Sequence, residues 1–233
     1  MLIRNRLIAL IYRVLELGLG LYALILLIMA DKTDASPMES FVYFGTECLF
    51  FMVVIVTLEV IFNAIDLAKN GIKGIAAYVY MPLTLAVLTF LIVDALSYNI
   101  SAPFMGGYAE GEALQGVLLA HVIAPLVFLF DYLLFLEKGT VRWRHALYWL
   151  IYPVSYFALI TSAHYIYKND FYPYPFLNHE RFAKADNPEI LSGNVGWNGV
   201  LIVLASILAG FLFVSFLVIF LNNVLAGKYR HRA

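Results

Sequence analysis

Cysteine is almost absent from this chain. Cys48 is the one thiol in 233 residues, so no disulfide can form within the chain and cysteine use says nothing about redox compartment. Charge is scarce as well: Asp, Glu, Lys and Arg make up 13% of the residues, against about a quarter in soluble domains. That excludes an ordinary soluble protein. The formal net charge of -1 gives no sign of nucleic-acid binding. No nucleotide-binding glycine loop, HExxH motif or CxxC motif occurs, which leaves ATP, zinc and thiol redox chemistry without support, and no metal or cofactor is expected. Internal repeats, low-complexity tracts and linkers are missing too, so residues 1–233 read as one domain.

What the chain has instead is apolar length. Hydrophobic residues make up 63% of it and the mean hydropathy is +0.83. A membrane-spanning helix needs about 20 mostly apolar residues, and six such stretches stand between polar segments: Arg6 to Met29, Ser40 to Ile65, Ile75 to Ser97, Ala113 to Leu136, His145 to Tyr167 and Gly196 to Ala226. The expected fold is an all-α, polytopic bundle of six transmembrane helices. The first span lacks a small-residue cleavage site and is expected to be retained. Basic residues alternate between connections, with Arg4, Arg6, Lys69, Lys73, Lys138, Arg142, Arg144, Lys228, Arg230 and Arg232 on one side and few on the other. Because cytoplasmic loops hold the excess of Lys and Arg, both termini are expected to be cytoplasmic. The outer segment 168–194 contains FYPYPFLNHERF, whose prolines and aromatics suggest an interfacial loop capping the bundle. Its His179-Glu180 pair reads as loop solvation rather than a metal site.

Charges inside the spans each need a reason, since one at the bilayer centre costs about 3 kcal/mol even on a lenient insertion scale. Arg13 and Glu16 are three apart on one helix face and are expected to pair. Glu59 on the second span can meet Arg13. Asp131, near the inner end of the fourth, is expected to pair with Lys138 and Arg142.

His121 has no basic cluster nearby and lies about 14 Å below the outer end of its span. Pro125 follows it by four residues; proline lacks an amide hydrogen and its ring collides with the carbonyl four residues back, that of His121 itself. The helix is expected to kink at the histidine. A helical histidine is commonly a hydrogen-bonded core residue, but the expected topology gathers Thr46, Glu47, Asp94, Tyr98, Asn99, Gln115 and His164 in the same outer half. Titratable and hydroxyl groups concentrated in a low-dielectric region are where chemistry is plausible.

Three runs, HVIAPLVFLFDYLLF, RWRHALYWLIYPVSYF and FYPYPFL, with supporting YF at Tyr43 and Phe44 and YN at Tyr98 and Asn99, resemble the bacterial branch of the family containing the androgen-induced and androgen-dependent multipass membrane proteins. The resemblance implies a six-helix hydrolase in a bacterial cytoplasmic (inner) membrane. In it, a threonine on the second helix and a histidine on the fourth would cleave fatty acid esters of hydroxy fatty acids, with a membrane lipid ester as the substrate. His121 matches the histidine, with proline four and aspartate ten residues later. Aligned without a gap, Gly45 falls at the nucleophile position and Thr46 follows it; Cys48, one turn on, is a possible substitute. The expected catalytic residues are Thr46 and His121, supported by Glu47, Cys48, Asp94, Tyr98 and Asn99. A neutral buried histidine can take the hydroxyl proton and return it to the leaving alcohol, and Tyr98 and Asn99 are candidate oxyanion donors. The alternative is a non-enzymatic lipid-binding or proton-coupled transport protein using the same polar cluster. The sequence leaves the oligomeric state open.

Overall fold

A computed structural model describes residues 2–30, 37–101, 112–167, 172, 174, 177–179 and 196–230. The described residues are helical, without strands. In chain order they form α1 (Arg6–Ala30), a short 3-10 turn (Pro37–Val42), α2 (Phe44–Asn70), α3 (Met81–Ser101), α4 (Glu112–Leu118), a π-turn (Leu119–Ile123), α5 (Ala124–Phe135), α6 (His145–Trp149), α7 (Ile151–Tyr167) and α8 (Trp197–Arg230).

Among the described residues, five helical stretches are long and apolar enough to cross a membrane: Arg6–Met29, Phe44–Asn70, Met81–Ile100, Leu114–Phe135 and Trp197–Gly227. The expected fifth span, His145 to Tyr167, differs. It is divided at Leu150 into α6 and α7, and α7 alone has 17 residues, short of the roughly 20 a span needs. Pro153 accounts for the break, because it offers no N–H to the carbonyl of Trp149 and its ring crowds that carbonyl. Leu150 N–H bonds back to Leu147 instead, in a tighter turn. Most of the capping segment expected at 168–194 lies outside the described residues.

The structure falls into two compact units. Residues 1–145 with 214–233 make the first, and residues 146–213 the second. In the second, the His179 ring stacks on Trp197 with centroids 4.8 Å apart.

In the first unit, α1 is amphipathic in the sense suited to lipid. Its exposed stripe is Ile8, Ile11, Leu15, Tyr22 and Ile25, while Ala9, Arg13, Glu16, Gly20 and Ala23 are buried. The spacing of three and four keeps each set on one face. Gly20 lets α2 come close: a β-carbon there would lie 3.1 Å from the Val53 side chain. α3 is buried around its whole circumference from Thr84 to Leu91.

The proximal end, where the chain begins, is tied down by backbone pairing. The amides of Leu2 and Ile3 donate to the Leu134 carbonyl, Arg6 N–H donates to Ile72, and Asn5 bridges Lys73. The Arg6 guanidinium holds Asp66 and the carbonyls of Gly71 and Lys73. Gly71 closes α2 at φ 72°, its N–H reaching Leu67. α5 ends differently: Lys138 donates to the carbonyls of Tyr132 and Leu136 and sits 3.9 Å over the Tyr132 ring. The Tyr132 carbonyl also accepts from Leu136 N–H at 3.4 Å, and a cation suits this end of a helix.

Candidate functional site

Pro125 organises the distal half. Because it has no N–H, the carbonyl of His121 loses its normal helical donor, and the backbone around it widens into the π-turn, where Ala124 N–H reaches back five residues to Leu119. The orphaned His121 carbonyl is met from α3 by the Asn99 amide at 3.4 Å; the same amide donates to the Ala95 carbonyl at 2.8 Å. A π-turn of this kind is a frequent device at functional sites.

α3 also grips the imidazole. Asp94 Oδ2 lies 2.7 Å from His121 Nδ1. A carboxylate can only accept, so Nδ1 donates to Asp94 and Nε2 is the ring nitrogen that Asp94 leaves unused. One turn along α3, Tyr98 stacks face to face on the imidazole, with centroids 4.3 Å apart and planes 5° from parallel. Asp94 and Tyr98 are four apart, which places them on one helical face. Both members of the His121–Asp94 pair are 12% exposed, buried but reachable.

The third wall is the first turn of α2. A β-carbon on Gly45 would stand 2.7 and 2.9 Å from the two Asp94 carboxylate oxygens, closer than such contacts allow, and a tight 3.0 Å from His121 Cε1. The Asp94 carboxylate thus occupies the volume that a side chain at position 45 would need. It also faces the start of a 27-residue helix, the end at which the helix dipole attracts anions.

The structure therefore brings together His121, Asp94, Tyr98 and Asn99, with Gly45 against the pair. Thr46 is buried, at 5% exposure, but one residue along α2 turns it about 100° from the direction of Gly45. Cys48 is fully buried and close enough to Asp94 and Glu47 to feel their charge; Glu47 is half-buried. Both N–H groups of the Asn99 amide are directed at backbone carbonyls. Gln115 is exposed on α4, and the side chain of His164 lies outside the described residues.

Among the proximal charges, Arg13 meets Glu59 as expected, but its other partner differs. Arg13 reaches across to α5, with Nε 2.9 Å from Asp131 Oδ1 and Nη2 3.3 Å from Oδ2, and its Nη2 lies 3.2 Å from Glu59 Oε2. Glu16, the expected partner of Arg13, receives no hydrogen bond from any described residue. Lys138, expected beside Asp131, is turned onto the end of α5. Compared with known proteins, the chain matches no family model, no curated protein and no solved structure.

Proposed function

We propose that this protein is an intramembrane hydrolase of lipid esters, such as fatty acid esters of hydroxy fatty acids, with His121 as its acid–base residue. The observation that carries the reading is the His121–Asp94 pair: a carboxylate on Nδ1 fixes tautomer and ring orientation and steadies the imidazolium that forms during proton transfer, leaving Nε2 to act. Thr46 is the assigned nucleophile. His121 Nε2 takes the Thr46 hydroxyl proton as Oγ1 adds to the ester carbonyl, then gives it to the departing alcohol as the carbon–oxygen bond breaks. Water, deprotonated by the same nitrogen, releases the fatty acid and restores Thr46. The resemblance of the run from His121 to Leu177 to the androgen-induced membrane hydrolases supports this chemistry. The same reading takes His145 to Tyr167 as a sixth crossing, both termini as cytoplasmic and a bacterial inner membrane as the location. An impermeant thiol reagent applied to intact cells should label a cysteine placed at Asn187 and spare one placed beside Lys138; the reverse pattern would refute that topology.

Gly45 favours a second reading, a protein that binds a lipid at the His121–Asp94 pair without cleaving it, or couples it to proton movement, because the position facing the pair carries no side chain. One experiment separates the two. Purified protein is incubated with a long-chain hydroxy-fatty-acid ester, free fatty acid is measured, and intact mass reports any acyl adduct. Hydrolysis lost in both His121→Ala and Thr46→Ala supports the hydrolase. Hydrolysis lost only in His121→Ala moves the nucleophile from Thr46 to water. Saturable binding without hydrolysis supports the binding protein.

A further inference from the structure

We propose that Arg13, Glu16, Glu59 and Asp131 form a buried proton-binding site in the proximal half of the bundle, holding two protons in the folded protein. The inference does not rest on the ester-cleavage reading. All four side chains are at most 1% exposed, and one guanidinium faces three carboxyls. Arg13 directs Nε and Nη2 to Asp131 and Nη1 to the carbonyl of Ala77, with Nη2 also in an ion pair 3.2 Å from Glu59 Oε2. None of these contacts goes to Glu16. Neither of its oxygens has a hydrogen-bond partner among the described residues, although it stands within the field of Arg13, Glu59 and Asp131.

A bare carboxylate in such surroundings costs far more than a neutral carboxylic acid, which is how buried acids escape that cost. Glu16 therefore holds the first proton. The second belongs to Glu59 and Asp131, whose carboxyls crowd the same nitrogen of Arg13, Oε2 and Oδ2 lying 3.2 and 3.3 Å from Nη2. Two buried carboxyls crowded on one cation disfavour double ionisation, so the pair shares a proton and one negative charge. Arg13 balances that charge, and the cluster closes to neutrality.

The other groups facing the cluster do not change this count. Tyr12 on α1 spends its hydroxyl on the Val127 carbonyl at 2.7 Å. Lys138, beyond α5, acts on Asp131 through space while its ammonium is held by helix-end carbonyls. The segment joining α2 and α3 contributes backbone, with Val79 N–H donating to Glu59 Oε1 at 3.4 Å. The carboxyls are not arranged to ligate a metal ion, so the proton is the ligand that fits.

Infrared spectroscopy of the purified full chain in lipid nanodiscs at neutral pH tests the site. Wild type should show the carbonyl stretch of protonated carboxylic acids, shifted on exchange into D2O, with two components. Glu16→Gln should fold, because the amide is a close isostere of the protonated acid, and should lose one component. Glu59→Gln should alter the other. Absence of the band in wild type overturns the proposal. So does a band unchanged in Glu16→Gln, or failure of Glu16→Gln to fold under conditions where Glu16→Asp folds.

Discussion

Two polar sites share the first unit, and one continuous segment serves both: His121 in the π-turn and Asp131 in α5 are ten residues, about 15 Å, apart. The distal site pairs one imidazole with one carboxylate at 2.7 Å and leaves both 12% exposed. The proximal site sets one guanidinium among three carboxyls, each at most 1% exposed. Placement of backbone accompanies the difference. At the distal site Pro125 widens the helix and α3 holds the imidazole from the edge, the face and the carbonyl behind it, leaving Nε2 unused by Asp94. At the proximal site the carbonyl of Ala77 and the amide of Val79 complete the enclosure. Polar residues in an apolar bundle thus serve opposite ends: the distal pair is oriented with a reactive atom to spare, whereas the proximal arginine is enclosed by carboxyls and backbone.

The largest effect should come from breaking the proximal site. Arg13→Met removes the one cation from among three buried carboxyls, and losing one partner of a buried pair costs about 3–5 kcal/mol. The variant should unfold at markedly lower temperature in detergent or fail to accumulate; a wild-type unfolding temperature would show that the cluster does not hold the helices together.

Gly45→Ala sharpens the distal half. The new methyl must displace the Asp94 carboxylate, so ester cleavage should fall by about 100-fold or more, the scale of general acid–base catalysis, while overpacking costs about 1–3 kcal/mol of stability. Added to Asp94→Asn, the same substitution should do little further to the rate. Additive losses would mean that Gly45 acts through something other than the pair.

The smallest effect concerns the end of α5. Burial pushes the Lys138 ammonium down to about 8 from 10.5, with Asp131 opposing the shift. An unfolded lysine keeps its proton until higher pH, so between about 8 and 10.5 the unfolded state binds more protons and stability should rise with pH, whereas below 8 this contribution is flat. Denaturant titrations across that range should show the rise in wild type and lose it in Lys138→Met.

The crossing helices could be read from hydropathy because lipid imposes length and apolarity on each. The division at Leu150 was foreshadowed by Pro153, but an apolar window does not register a lost backbone donor. His121 stood out for a local reason, the proline four residues on. Its partner Asp94 could be placed at the right depth only; whether it faced the imidazole depended on the rotation of α3. The pairing of Arg13 with Asp131, 118 residues away, depended on rotation as well, and the nearer Glu16 was the misleading choice. Gly45 carried the weakest signal, since the feature that matters there is an absent side chain.

The measurement that tests the division of roles most directly compares two aspartates in one preparation: Asp94→Asn and Asp131→Asn, each assayed for lipid-ester hydrolysis per folded molecule and for unfolding temperature. The account predicts that Asp94→Asn loses hydrolysis with little change in unfolding temperature, while Asp131→Asn, depriving Arg13 of its two-pronged partner, unfolds earlier and cleaves ester at the wild-type rate while folded. Lost activity in stably folded Asp131→Asn, with Asp94→Asn fully active, would contradict it.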